Sequence, residues 1–179
     1  MNTYKSMWMP GNLMKRSIRD TAPMTADSAF VSEMAYLVGD VVVEENASVW
    51  PFVCLRGDGG SVQVGERTNV QEFSMIHGAT LGDNVTIGHN VVVDYAEIGH
   101  DSLVGIHSAV LEGATVEPNC LIASGCLVNH DQTIPEGHMA YGVPAETRPL
   151  TDEHREEIER IQEHYVELGV EYRKAGTFE

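Results

Sequence analysis

Aliphatic residues recur at intervals of five or six positions along most of this chain. From residue 81 onward, ten consecutive units each open with Leu, Ile or Val, and earlier units follow the same rule. A helix would need apolar residues about 3.6 positions apart and a simple hairpin sheet would need alternation, and neither pattern is present. The unit openers are Val38, Val43, Val49, Leu55, Val64, Val70, Ile76, Leu81, Ile87, Val93, Ile98, Val104, Val110, Val116, Ile122, Val128 and Ile134.

This repeat predicts a solenoid of short strands in which every opener points inward. Three units then make one triangular coil of about 18 residues, and stacked coils build continuous aliphatic columns. Units of five residues, at 38–42, 76–80 and 93–97, shorten their coils to about 17. Glycine at the corners permits backbone angles that other residues avoid.

The repeat divides the chain into three parts. We expect an N-terminal segment over 1–28, the solenoid over 29–146 and a C-terminal helix over 147–179. Acidic residues crowd the first turns of that helix, where the helix dipole favours them. Its apolar residues fall on one stripe, so the helix is expected to pack along the outer wall of the solenoid. The stripe consists of Ile158, Ile161, Tyr165, Leu168 and Tyr172.

The charge balance excludes several classes of partner. Among 179 residues, 11 are Lys or Arg and 27 are Asp or Glu, for a formal net charge of −16. Such a chain repels phosphate and has no basic stripe, so we expect no nucleic-acid partner. No apolar run approaches the roughly 20 residues of a membrane span, and no signal peptide precedes the repeat, so we expect a cytoplasmic protein without a membrane partner.

Two further expectations follow from composition. An acidic surface with few lysines suits a salt-rich cytoplasm, so we favour a halophilic source over an ordinary acidic protein. The three cysteines, Cys54, Cys120 and Cys126, contain no C-x-x-C pair and are expected to be small buried thiols.

The phase of the repeat places two possible metal ligands together. His77 and Asp94 both take the second place of five-residue units one coil apart, so they stack on the same face. His89 is the third residue of its unit and belongs to a different face. In a closed trimer, unlike faces of neighbouring subunits meet, and His77 and Asp94 of one chain can then approach His89 of the next. Two imidazoles and a carboxylate with one open position suit catalytic zinc. A solvated or hydrogen-bonded histidine is the alternative.

Four segments carry a resemblance to a known family. The stretches SVWPFVCLRGD, ERTNVQEFSMIHG, GDNVTIGHNVVV and YGVPAETRPLT, in this order, resemble the γ-class carbonic anhydrases. The resemblance extends from about Ala29 to the terminal helix. It implies an all-β solenoid, a left-handed parallel β-helix of hexapeptide repeats, with a C-terminal α-helix packed alongside. It also implies a homotrimer, a Zn ion (or Fe or Co) between subunits, and reversible hydration of carbon dioxide to bicarbonate by a metal-bound hydroxide.

The resemblance assigns the metal site residue by residue. His77 and His89 match two of the family's three metal-binding histidines, and Asp94 stands where the third would fall. A carboxylate ligand adds negative charge, so the bound water should be less acidic and activity weak or shifted to alkaline pH. Alternatively, Asp94 does not reach the metal, and His107, one coil beyond His89, substitutes for it.

The other assigned residues surround the metal. Arg56 and Asp58 match the family's Arg and Asp in LRGD, and Gln71 matches a glutamine implied to hydrogen-bond the metal-bound water. Glu72 stands where the family usually has Asp, and the resemblance implies a pairing with Arg56, partly across the subunit interface. A plain structural salt bridge is the alternative for Arg56. Some active members also carry Glu at the position of Gly59, and this chain shows no dedicated proton shuttle.

Two other functions compete with carbon dioxide hydration. One is a degenerate family member that binds metal in a trimer without hydration activity. The other is a hexapeptide-repeat acyltransferase, although the repeats lack the long loop and the basic residues that such enzymes use for coenzyme A.

Overall fold

The computed structural model describes residues 14–176. They form a parallel β-solenoid of about 7 coils with one helix beside it. The strands are β1 (Met14–Arg16), β2 (Met24–Thr25), β3 (Phe30–Val31), β4 (Tyr36–Val43), β5 (Ser48–Val49), β6 (Cys54–Val64), β7 (Asn69–Val70), β8 (Met75–His77), β9 (Thr80–Leu81), β10 (Thr86–Ile87), β11 (Val92–Asp94), β12 (Glu97–Ile98), β13 (Leu103–Val104), β14 (Ala109–Val110), β15 (Thr115–Val116), β16 (Leu121–Ile122), β17 (Leu127–Val128), β18 (Thr133–Ile134), β19 (His138–Tyr141) and β20 (Glu146–Pro149), and the helix is α1 (Asp152–Ala175).

The strands stack into three faces. The first face contains β8, β11, β14 and β17 with the start of β6, and the second contains β9, β12, β15 and β18 with the end of β6. The third face contains β3, β5, β7, β10, β13, β16 and β19. The chain passes from the first face to the second at the Tyr95 corner, which consists of residues 58–60, 78 and 95. It passes from the third face to the first at the His89 corner, which consists of residues 52, 72–73, 89–90 and 106–107. The predicted left-handed parallel β-helix with a helix packed alongside is confirmed.

The aliphatic columns of the prediction form the core. All 17 predicted openers are buried, and most of them are completely inaccessible to solvent. The register differs at one place. Leu37, rather than Val38, pairs with the core residue Leu55, and Val38 pairs with Arg56. The irregularity between Gly39 and Val41 causes this difference, so the coil there does not contain the predicted five-residue unit 38–42.

The corners rely less on glycine than predicted. Many corner residues with positive φ are Asn or Asp, whose short polar side chains tolerate the left-handed region. Three aromatic residues, Phe52, Phe73 and Tyr95, also adopt positive φ, with values of 63°, 65° and 46°. Because bulky residues avoid this region, these three positions are conformationally unusual.

Helix α1 packs on the third face. The side chain of Thr151 accepts a hydrogen bond from the backbone of His154, whose side chain accepts one in return, and this capping box begins the helix. Ile158 packs against Leu103, Leu121 and Leu150. Trp50 contacts Tyr165 and Tyr172 of the helix edge to face. The predicted apolar stripe therefore faces the solenoid, with Gln162 and Gly169 also buried in it.

The ends of the solenoid carry additional strands. Within the predicted N-terminal segment, residues 1–13 lie outside the described residues, and β1 and β2 pair in parallel with β4. At the other end, β20 pairs antiparallel with β19. No helix among residues 14–176 is long and apolar enough to cross a membrane.

The thiols are only partly as predicted. Cys120 and Cys126 are buried, and burial raises the pKa of Cys126 to about 11. Cys54 is only half-buried.

The core columns predict a strong position dependence of stability. Ile122 is 0% exposed, so Ile122→Ala leaves a cavity in the column and should lower the free energy of unfolding by about 2–5 kcal/mol. Met24 is 62% exposed, and Met24→Ala should change it by less than about 0.5 kcal/mol. Urea unfolding at one protein concentration measures both variants. Equal losses would contradict the assignment of the core.

Candidate functional site

The first face brings three of the predicted site residues into one row. Arg56 of β6 pairs in register with His77 of β8, which pairs with Asp94 of β11. The stacking of His77 and Asp94 therefore agrees with the phase argument. Asp94 Oδ1 lies 2.8 Å from Nδ1 of His77. Because Nδ1 and Nε2 lie on opposite edges of the ring, this contact leaves Nε2 pointing away from Asp94.

The opposite edge of the His77 ring faces Asp58. Oδ1 of Asp58 lies 3.7 Å from His77 Nε2, which is beyond hydrogen-bond distance, and 2.8 Å from Nε of Arg56. Among the described residues, Asp58 Oδ1 and His77 Nε2 are the buried side-chain atoms without an aligned hydrogen-bond partner. Loss of hydration by itself raises the pKa of Asp58, but the hydrogen bond and charge of Arg56 outweigh it and hold that pKa below its ordinary value.

Two residues that contact this cluster, Tyr95 and Arg19, are not among the site residues predicted from the sequence. The ring of Tyr95 packs edge to face on His77, with centroids 4.5 Å apart. Arg19, in the turn after β1, donates a hydrogen bond to the backbone carbonyl of Asp58 at 3.0 Å. The place of Tyr95 in the repeat, directly after Asp94, was the only sequence signal for its contact with His77. No sequence signal pointed to the contact of Arg19 with Asp58.

The remaining predicted residues gather at the His89 corner. His89 lies in the turn after β10, rather than on a strand face, and its Nδ1 is 2.9 Å from Oε2 of Glu72. Gln71 is buried, and its amide donates a hydrogen bond to Asn69. Within one chain Glu72 therefore pairs with His89, while Arg56 pairs with Asp58.

The other solenoid histidines are differently placed. The 17-residue offset between β10 and β13 places His107 one coil below Asn90, whose side chain its ring contacts, and its backbone N–H donates to the carbonyl of His89. His100 lies in a turn between the second and third faces, where its Nδ1 is 2.7 Å from Asp101. The prediction that His107 lies one coil beyond His89 is therefore wrong, because the coil there has 17 residues rather than 18 and Ile106 takes that position.

The two clusters lie on opposite edges of the first face. Strand β8 (Met75–His77) crosses the first face from the turn that contains Glu72 to the Tyr95 corner, where it ends at His77. Among residues 14–176, no three His, Cys, Asp or Glu side chains converge to hold a metal ion. A site that uses both His77 and His89 therefore requires two chains.

Comparisons with known proteins identify the family. The chain is 35% identical over 157 residues to a carbonic anhydrase of Geobacillus kaustophilus, covering 84% of this chain and 86% of that protein. It is 33% identical over 165 residues to the mitochondrial γ carbonic anhydrase 2 of Arabidopsis thaliana, covering 86% of this chain. The chain belongs to the γ-carbonic-anhydrase-like family of hexapeptide-repeat proteins.

Other comparisons qualify this membership. The chain spans only 59% of the γ carbonic anhydrase 2 just described, and 60% of a second mitochondrial relative. A solved structure from Bacillus cereus, described as a candidate acetyltransferase, is 36% identical with a TM-score of 0.89 and covers 92% of this chain and 99% of that one. No family model matches the chain. Membership of the γ-carbonic-anhydrase-like family thus establishes the fold more firmly than the reaction.

The contact of Asp94 with Nδ1 predicts the tautomer of His77. In metal-free protein at pH about 9, where imidazoles are neutral, the proton should lie on Nδ1, because a carboxylate can only accept there. Asp94→Ala should shift the ring toward the Nε2–H form, as measured by ¹⁵N NMR of the ring nitrogens. Asp101→Ala, which removes the equivalent partner of His100, should leave His77 unchanged. A His77 ring that already carries its proton on Nε2 would contradict this geometry.

Proposed function

We propose that this protein is a metal-dependent, carbonic anhydrase-like lyase that interconverts carbon dioxide and bicarbonate in a homotrimer. Two relatives that bear the name carbonic anhydrase support the reaction class. The chain's own residues support the metal, the assembly and the roles of individual side chains, as follows.

The observation that carries the proposal is the shared arrangement of the two histidines. In His77, Nδ1 contacts the carboxylate of Asp94, and in His89, Nδ1 contacts the carboxylate of Glu72. Each contact orients the ring and leaves Nε2 as the lone-pair donor, which is how proteins prepare histidine for a metal ion. The Nε2 atom of His77 is buried and lacks a partner within the described residues. The donor set therefore fits a zinc, iron or cobalt ion held by Nε2 of His77 and Nε2 of His89 of a neighbouring subunit.

Other residues prepare the surroundings of these nitrogens. A bound metal ion of this kind lowers the pKa of a water molecule toward neutrality and so supplies the nucleophile for carbon dioxide. Gln71 is fixed by Asn69 and directs a polar amide group at the His89 corner, where it can orient a water molecule or substrate. Arg56 holds Asp58 ionised beside His77. The residues of this chain thereby orient both imidazoles and set the charge around them.

The His89 corner also supports assembly. Phe52 and Phe73 stack on each other in parallel there, although they are 50% and 62% exposed in the single chain. Met34, one coil above Phe52, is also exposed and extends this apolar column, and Ile106 is exposed one coil below His89. A column of this kind marks a surface that another protein covers. A neighbouring subunit that covers it would lie directly beside Glu72 and His89, so assembly and completion of the site coincide.

The role of Asp94 as a third ligand stays a prediction. With Oδ1 on Nδ1 of His77, Asp94 lies behind the ring as seen from Nε2. It orients His77 there, and it becomes a ligand only if the side chain turns away from Nδ1. The same observation favours the second candidate function, a family member that binds metal through two imidazoles without measurable hydration.

Acyl transfer remains the third candidate, because the solved relative of Bacillus cereus is described as a candidate acetyltransferase. Measurements on purified protein separate the three functions. Stoichiometric metal with carbon dioxide hydration supports the lyase, and stoichiometric metal without hydration supports the second candidate. Binding of acetyl coenzyme A by metal-free protein supports acyl transfer.

Mixed trimers test the shared site. His77→Ala and His89→Ala each remove one imidazole from every site, so neither trimer should retain stoichiometric zinc. If the two variants are refolded together in equal amounts, about one quarter of the sites combine an intact His77 with an intact His89 of the next chain. Zinc content and carbon dioxide hydration should therefore recover to about one quarter of the wild-type values.

The same experiment contains its control. His100→Ala removes a histidine of similar exposure at another corner and should retain full zinc content. Trimers of the two variants that are assembled separately and then mixed should not recover. Co-refolded trimers that hold no more zinc than the parent variants would show that the two histidines do not share a site.

Replacement of the unusual carboxylate tests the ligand assignment. Asp94→His supplies a third imidazole in place of a charged group, so the affinity for zinc should rise by at least about tenfold. Competition with a chelator measures this affinity. Asp101→His, at the matched pair with His100, should leave it unchanged. An unchanged or lower affinity of the Asp94→His protein would mean that position 94 does not face the metal.

A further inference from the structure

Three glycines leave room for the side chain of Tyr95. A Cβ atom placed on Gly59 would lie 2.2 Å from the Tyr95 hydroxyl oxygen, and one on Gly78 would lie 2.5 Å from ring atom Cε1. A Cβ on Gly60 would lie 3.0 Å from the same ring atom. Contacts below 3.0 Å essentially never occur for real Cβ atoms. The ring therefore occupies its position only because these residues lack side chains.

Tyr95 is also held in an unfavourable backbone conformation. Its φ of 46° lies in the left-handed region, which a bulky aromatic residue rarely adopts. Turns at the other two corners of this solenoid contain Asn84 and Asn90, for which the same region is common. Strained positions of this kind often coincide with functional sites, where the surrounding structure enforces them. The ring contact with His77 points to the same conclusion.

The hydroxyl of Tyr95 and Nε2 of His77 both lie close to Gly59. The Cβ position of Gly59 that is 2.2 Å from the hydroxyl oxygen is also 3.6 Å from Nε2. Asp58 Oδ1, which forms an ion pair with Arg56, lies on this side of the ring as well. The phenol hydroxyl therefore fills the place that a side chain at position 59 would take, beside an imidazole nitrogen without a partner among the described residues.

We infer that the Tyr95 hydroxyl is a substrate-binding group, which donates a hydrogen bond to an oxygen of bicarbonate beside Nε2 of His77. The inference rests on the proposed function, because it takes bicarbonate as the oxyanion. A neutral donor suits this place, since Asp58 and Asp94 already contribute negative charge that repels an anion. Arg56 is the nearby cation, and it is engaged with Asp58. Gly59 leaves room for the donor and adds no further charge.

A double-mutant cycle tests the placement of the hydroxyl without any measurement of activity. Gly59 has no positive φ, so Gly59→Ala introduces only the contact with the hydroxyl. This substitution should lower Tm by at least about 4 °C. In the Tyr95→Phe background the nearest atoms are at 3.6 Å, which is ordinary contact, and most of the loss should disappear. In the Tyr141→Phe background, where an exposed hydroxyl is removed elsewhere, the full loss should remain. An equal loss in all three backgrounds would overturn the placement.

Bicarbonate binding to cobalt-loaded protein tests the role. Tyr95→Phe keeps the ring and removes the donor, so the Kd for bicarbonate should rise about tenfold, while the affinity for cobalt should equal that of the wild type. The visible spectrum of cobalt reports both titrations, and Tyr141→Phe is the control. If cobalt binds and the Kd for bicarbonate changes by less than about twofold, the role of Tyr95 is refuted and the proposed function stands. If the wild type binds no cobalt, the proposed function fails, and this inference fails with it.

Discussion

The vertical register of the coils is the constraint on which the rest of this structure depends. Each strand is only two or three residues long in most coils, so no strand could be stable in isolation. Stability comes from in-register stacking, which places each buried aliphatic residue on the equivalent residue of the next coil. The same register decides which polar residues meet on the outside. Arg56, His77 and Asp94 form one row because Leu55, Ile76 and Val93 form the column behind them.

The side chains proposed for the site lie at two different edges of the first face. At the Tyr95 corner, a buried imidazole lies between the carboxylate of Asp94 on Nδ1 and the carboxylate of Asp58, which is paired with Arg56, near Nε2. At the His89 corner, a second imidazole has the same kind of carboxylate contact and lies beside exposed aromatic rings. A rigid solenoid cannot fold one edge onto the other, so only contact between chains joins the two. This division makes oligomerisation a condition of the proposed chemistry rather than an addition to it.

The core could be predicted from the sequence because every opener has one role, which is to face inward. The register at Val38 could not, because Leu37 and Val38 are equally apolar and only the irregular pairing of β4 with β6 selects between them. Coil length was enough to stack Asp94 on His77, but the ring nitrogen that Asp94 contacts depends on side-chain rotamers. The position of the Tyr95 side chain depends on Gly59, Gly60 and Gly78, which come from two other coils, and no local pattern in the sequence links them.

The antiparallel strand β20 changes how the solenoid ends. A stack of parallel coils exposes a row of free backbone groups on its last strand, and such a row readily accepts a strand of another molecule. Here β20 reverses direction and covers β19 along its whole length. Its own outer side is an exposed ETRP segment, in which two charged residues and a proline without an N–H oppose further pairing. On the third face, this strand therefore opposes end-to-end growth into fibres, a hazard inherent in a repeating parallel architecture.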